Sequence, residues 1–214
     1  MYVLDGSSQD IHIAQKFDIL SSAGYVPETI IVGLPNVSGK GRQRDYTPPF
    51  MRTDKDKKDS PLGSGDKFLA FMEKELVPFI EKNYSVSKIR SLAGNSRGGL
   101  LAMYSLLYKP DLFKGRFCFS SPFWREDNLI VKKVSDFLAT NENLNSFLYL
   151  STGEEETDNM KNGFKQMTKI FNKNAPKKLI WYSEYTKKAD HQNNAEKSAS
   201  VAIAKWTDYL KTIE

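Results

Sequence analysis

The chain contains two histidines and one cysteine among 214 residues, so few side chains are candidates for nucleophilic chemistry. Foremost is Gly94-Asn95-Ser96-Arg97-Gly98-Gly99, a G-x-S-x-G spacing. It lies between a short apolar run, Ile89-Arg90-Ser91-Leu92-Ala93, and a helix-length stretch from Leu100 to Tyr108. Strand, tight turn and helix in that order lift a serine hydroxyl to the top edge of a sheet. The glycines permit a turn that Cβ atoms would crowd. The alternative is an ordinary glycine-rich turn, which would need no partners.

A serine hydroxyl is a weak nucleophile without a base. His12 falls early in an expected helix, Ile11 to Leu20, where a helical side chain is the simpler reading. His191 follows the last expected strand, in Ala189-Asp190-His191-Gln192-Asn193, and suits a base in the chain order serine, acid, histidine. The acid then belongs after Phe147-Leu148-Tyr149-Leu150-Ser151, where Glu154, Glu155, Glu156 and Asp158 crowd together. Gly153 allows the chain to turn there. Glu154 falls within that turn, and Asp158 suits the start of the next helix. At this level the place of the acid is clear, and its identity is not.

These residues need elements to position them. Tyr2–Leu4, Thr29–Val32, Ile89–Ala93, Arg116–Phe119, Phe147–Leu150 and Leu179–Tyr182 are short and rich in β-branched or aromatic residues, as buried strands are. Amphipathic stretches separate them: Asp66–Tyr84, Gly99–Tyr108, Leu129–Leu138, Asn162–Phe171 and Glu196–Leu210. Asp66 suits an N-cap, and Pro78 predicts a kink. Such alternation predicts a single α/β domain over 1–214, with a mostly parallel sheet flanked by helices. From 36 to 65 the chain is polar, with prolines and glycines and no periodicity, which predicts a long functional loop over the carboxyl edge of the sheet.

Charge and composition exclude several classes. Lys and Arg number 31 against 26 Asp and Glu, but the densest run, Asp54 to Asp59, carries both signs and reads as a solvated loop rather than a nucleic-acid contact. One cysteine, Cys118, excludes a disulfide framework and reads as a buried apolar residue. No apolar run approaches the ~20 residues of a membrane span, and MYVLDG lacks the pattern of a signal peptide. Trp206 reads as core, whereas Trp124, Arg42 and Arg44 are candidates to line a substrate pocket, and Arg42, Arg44 and Arg97 would make the cleft mouth positive, favouring acidic or polyhydroxylated groups.

Across nearly its whole length the chain resembles the putative-esterase branch of the α/β-hydrolases. That branch includes enterochelin esterases, esterase D-like enzymes, feruloyl and acetylxylan esterases, and mycolyltransferases. The resemblance rests on Tyr2-Val3-Leu4-Asp5-Gly6, Ile31-Val32-Gly33-Leu34-Pro35-Asn36, Arg44-Asp45-Tyr46-Thr47-Pro48, Asp66-Lys67-Phe68 and Glu75-Leu76-Val77-Pro78-Phe79-Ile80. It continues through the Ser96 turn, Ser120-Ser121-Pro122 and Asp190-His191. It implies a serine esterase without metal or organic cofactor, with Ser96 as nucleophile, His191 as base and Glu156, three residues after Gly153, as acid. It also implies that the backbone amides of Ser7 and Arg97 form the oxyanion hole. The implied substrate is a small-molecule, carbohydrate or siderophore ester. Acyl transfer by the same triad and a catalytically impaired binding module are the alternatives.

Two departures from the family pattern stand out. Asn95 occupies a position that is usually His, and the two strands that usually precede Leu4-Asp5-Gly6 have no counterpart. With those strands absent, Thr29–Val32 is expected to be an apolar sheet edge open to self-association. Cytoplasmic residence is the default reading, and export stays open if further sequence precedes Met1.

Overall fold

The computed structural model describes residues 1–213. Six parallel strands form one sheet: β1 (Tyr2–Leu4), β2 (Val32–Leu34), β3 (Ser91–Asn95), β4 (Gly115–Phe119), β5 (Ser146–Gly153) and β6 (Leu179–Thr186), in the order β2-β1-β3-β4-β5-β6. Among the described residues eight α-helices connect and follow them: α1 (Gln9–Ser22), α2 (Gly39–Asp45), α3 (Gly65–Phe71), α4 (Val77–Asn83), α5 (Arg97–Tyr108), α6 (Arg125–Thr140), α7 (Asp158–Asn174) and α8 (Asn194–Leu210). None of these is long and apolar enough to cross a membrane.

Period-two alternation in the strands creates two cores. Val3, Ala93, Phe117, Phe119, Phe147 and Tyr149 face one side, where they meet Ile13 and Phe17 of α1 and Ile203 and Trp206 of α8. Leu4, Leu92, Cys118, Leu148 and Leu150 face the other, against α5, α6 and α7. Burial on both faces explains why the strands read as continuous apolar runs.

Several sequence expectations shift. The strand expected at Thr29–Val32 lies at Val32–Leu34, because the ladder to β1 starts at the pairing of Tyr2 with Val32. Residues 29–31 precede that ladder, and the Met1 amine donates to the Ile30 carbonyl at 2.7 Å. β2 is still an edge strand, pairing only with β1. The expected Asp66 N-cap is replaced by Ser64, and Asp66 sits in the first turn of α3. Pro78 does not break the expected helix. A π-helical turn, Met72–Leu76, joins α3 to α4, and the Val77 N–H donates to the Met72 carbonyl. The wider turn absorbs the disturbance of the proline, which stands two residues after Leu76.

The segment 36–65 is more ordered than its composition predicts. It contains α2, started by Ser38, whose Oγ accepts from the Gly41 N–H at 3.0 Å, and an antiparallel bridge between Arg52 and Leu62. In α6, Glu126, Asp127 and Asn128 take left-handed φ of 48, 53 and 58°, so regular helix begins at Leu129.

Arg116 of β4 is fully buried. Its guanidinium donates to Ser105 Oγ, Ser146 Oγ and the carbonyls of Ser105, Lys109, Pro110 and Phe113 at 2.7–3.2 Å. It thereby satisfies the carbonyl-rich end of α5, where a cation is favourable. Arg116→Met would leave those acceptors unpaired. The expected cost is about 3 kcal/mol, a fall of roughly 10 °C in the melting midpoint, read by calorimetry.

Candidate active site

Ser96 occupies the reversal between β3 and α5 with φ 56° and ψ −120°, a conformation that ordinary side chains avoid. The turn closes because Gly94 and Gly98 touch: a Cβ on Gly94 would collide with the Gly98 backbone. The Ser96 N–H donates to the Phe119 carbonyl at 2.8 Å, fixing the turn to β4. Arg97 opens α5, so its N–H has no carbonyl within the helix. Ser7 follows the end of β1, the neighbour of β3, and its N–H has no partner among the described residues.

His191 reaches the same place from the loop before α8. Asp190 Oδ1 accepts from the N–H groups of Gln192 and Asn193 at 2.9 and 3.0 Å, which curls this loop. The imidazole then spans two partners, with Nε2 3.0 Å from Ser96 Oγ and Nδ1 3.0 Å from Glu156 Oε2. Of the four neighbouring carboxylates only Glu156 is buried. Glu154 turns back to accept from the Lys188 N–H at 3.3 Å, Glu155 is exposed, and Asp158 begins α7.

The Glu156 side chain has no solvent exposure, while that of His191 retains 39%. Burial alone would push the Glu156 carboxyl up. Hydrogen bonds from His191, Ser120 and the Gly153 N–H outweigh it and hold the group below the usual glutamate value. Ser120 Oγ donates to Glu156 Oε1 at 2.5 Å, and Asn194 Nδ2 donates to Ser120 Oγ at 2.9 Å. Asn194 also donates to Ser151 Oγ at 3.0 Å, which pairs with Ser198 Oγ at 3.0 Å. Of this buried network only Ser120 carries a sequence signal, through Ser120-Ser121-Pro122. Asn194 carries none.

A cleft of about 440 Å³ opens over Ser96 and His191, walled by Arg97, Pro122, Trp124, Arg125, Met160 and residues Gln43 and Asp54–Asp56 of the long segment. Trp124 lies where the sequence places it, and Lys55 Nζ stands 6.0 Å from its ring centre. The two pocket arginines do not. Arg42 is bound to Asp5, because a carboxylate at the end of β1 matches its planar fork. Arg44 is 64% exposed beside Asp45 and lines a separate hollow that includes neither Ser96 nor His191. Arg97, the third arginine expected at the cleft mouth, does line the cleft, and Arg125, which the sequence gives no reason to single out, joins it. Arg97 Nη1 donates to Thr47 Oγ1 and the Thr53 carbonyl, and no carboxylate among the described residues pairs with it. Burial and the nearby Arg125 and Arg42 charges push its guanidinium down to about 10. Arg125 is buried, and its Nε and Nη1 have no partner among the described residues. No group of three or more metal-ligating side chains occurs among the described residues.

The chain is similar to known proteins in sequence and in fold. Ferri-bacillibactin esterase BesA of Bacillus subtilis is 30% identical over 145 residues, covering 62% of this chain and 50% of that protein. An IroE-like serine hydrolase from Shewanella oneidensis superposes with a TM-score of 0.85 at 25% identity, over 96% of this chain and 68% of the other. The BES protein from Bacillus cereus superposes at 0.84 with 24% identity, over 95% and 80%. The chain spans about half the length of the curated relatives it matches. The fold is that of the α/β-hydrolases. The family model described as "Putative esterase" matches residues 1–211, and the chain belongs to that family.

Proposed function

We propose that this protein is a serine esterase that hydrolyses a carboxylic ester through an acyl-enzyme. The observation that carries this reading is the His191 imidazole held at 3.0 Å from both Ser96 Oγ and the Glu156 carboxylate. In the first half-reaction Ser96 Oγ bonds to the carbonyl carbon while its proton passes to His191 Nε2. The ester C–O bond then breaks and the alcohol leaves with that proton. In the second half-reaction water repeats the sequence and releases the acid. Glu156 fixes the imidazole tautomer and stabilises the imidazolium, and the Ser7 and Arg97 amides take the oxyanion.

A fluorophosphonate should label the wild-type protein and fail to label Ser96→Ala. Glu156→Gln should lose at least about a hundredfold in turnover. Glu154→Gln, Glu155→Gln and Asp158→Asn should stay within about threefold of wild type, because those groups face solvent or the helix start. Equal labelling of Ser96→Ala would overturn the nucleophile, and a large loss in another carboxylate variant would move the acid to that residue.

Ser120 supports Glu156 rather than the substrate. A carboxyl group whose value is depressed by folding stabilises the protein above its ordinary range and ceases to as pH falls through the depressed value. Ser120→Ala removes one donor and brings Glu156 nearer to the usual value. Turnover should fall about tenfold. The acid-side decline of both stability and rate should begin at a higher pH than in wild type, as read by pH-rate and pH-melting profiles.

For the substrate we infer a siderophore-type ester. BesA is by name a ferri-bacillibactin esterase, and solved relatives include siderophore hydrolases of Aspergillus nidulans. The unneutralised Arg97 guanidinium beside Ser96 suits an ester whose chelating arms carry negative charge. A catecholate trilactone should be cleaved with a kcat/KM at least about tenfold above that for a feruloyl or acetyl ester of comparable reactivity. The reverse order would remove the siderophore assignment and leave the esterase.

A further inference from the structure

After β1 the chain turns through two left-handed residues, Asp5 with φ 59° and Ser7 with φ 76°. Such conformations persist in non-glycine residues when neighbours hold them. Gly6, between them, packs so closely on β2 that a Cβ would stand 2.6 Å from the Leu34 nitrogen. Its N–H donates to the Leu34 carbonyl at 2.9 Å. This anchors one side of the turn and leaves the Ser7 N–H free.

The other side is held by the segment 36–65. Arg42 Nε donates to Asp5 Oδ1 at 2.6 Å and Arg42 Nη2 to Asp5 Oδ2 at 2.8 Å. Asn36 Nδ2 donates to Asp5 Oδ1 at 2.7 Å, and Tyr46 Oη accepts from the Asp5 N–H at 3.2 Å. The Asp5 side chain keeps 13% exposure and that of Arg42 29%. Arg42 also reaches the other strand end: Nη2 lies 3.4 Å from the carbonyl of Asn95, the residue before Ser96. One guanidinium thus touches the turn that carries Ser7 and the turn that carries the nucleophile.

We propose that Arg42 is a positioning residue whose fork, locked on Asp5, fixes the Ser7 amide relative to the Ser96 turn. The proposal rests on the esterase reading above and adds the device that keeps the oxyanion donors in place. Donors stabilise developing charge to the extent that they are already aimed when it forms, and small displacements forfeit much of that gain. A planar two-point contact resists rotation, which a lysine ammonium on the same carboxylate would not.

The test uses Arg42→Met, Arg42→Ala, Arg42→Lys and Asp5→Asn on an uncharged ester, with rates expressed per serine titrated by fluorophosphonate. We expect kcat to fall about a hundredfold in Arg42→Met and Asp5→Asn, and about tenfold in Arg42→Lys, with KM within about threefold. The affinity of a boronic acid, which forms a tetrahedral adduct on serine, should fall in parallel with kcat, and guanidinium ion should restore part of the rate to Arg42→Ala. A kcat within threefold of wild type in both Arg42→Met and Asp5→Asn would overturn the proposal. So would a raised KM at unchanged kcat, which would make Arg42 a substrate-binding cation. If Arg42→Met does not fold, Asp5→Asn decides by the same readings. Wild-type turnover that persists in Ser96→Ala would overturn the esterase reading itself, and the proposal with it.

Discussion

The structure depends first on a backbone reversal at one residue. Ser96 holds φ 56° because β3 must end and α5 must begin within a single residue while both stay packed in the core. The contact of Gly94 with Gly98 makes that possible, and the hydrogen bond to the Phe119 carbonyl makes it rigid. The reversal fixes three things together: the direction of the serine hydroxyl, the unpaired N–H of Arg97, and the axis of the most buried helix. A parallel sheet brings the ends of β1, β3, β4 and β5 to the same edge. Residues distant in sequence can therefore meet there without long excursions of the chain.

Glu156 illustrates the energetic side. A carboxylate with no exposed side-chain surface is costly unless its oxygens are paired. Here His191 binds one oxygen, while Ser120, Thr152 and the Gly153 N–H approach the other. Asn194 braces Ser120 from behind. The network ties the ends of β4 and β5 and the start of α8 into one unit, with Asn194 Oδ1 buried and without a partner among the described residues.

How much of this was legible in the sequence follows from locality. Ser96 declares itself because strand, glycines and helix are contiguous, and His191 because it follows the last apolar strand. The acid needed a family resemblance, since four carboxylates stand together and only the fold buries one of them. Arg42 and Arg44 look alike in sequence and differ only in what the turn after β1 presents to them. Arg116 is the second residue of an apolar strand, and nothing local announces that carbonyls from α5 and its following loop converge on it. Asn194 is hidden for the same reason, because its partners come from β4 and β5. The π-helical turn is likewise a tertiary compromise between a proline and two apolar faces.

The segment 36–65 has a mechanical consequence. It is held at Asn36 and Arg42 by Asp5, at Thr47 and Thr53 by Arg97, and at Arg52 by the side chains of Arg125 and Glu126, which approach its carbonyl and its N–H. A chain of thirty residues pinned so often behaves as a series of short spans, each with little slack. Besides residues 37–40, the stretch from Lys55 to Asp59, closed at its base by Ser60 against Asp54, is exposed throughout. That tip carries three lysines. It is where a trypsin-like protease would gain entry, and a nick there would leave every anchor of the segment in place.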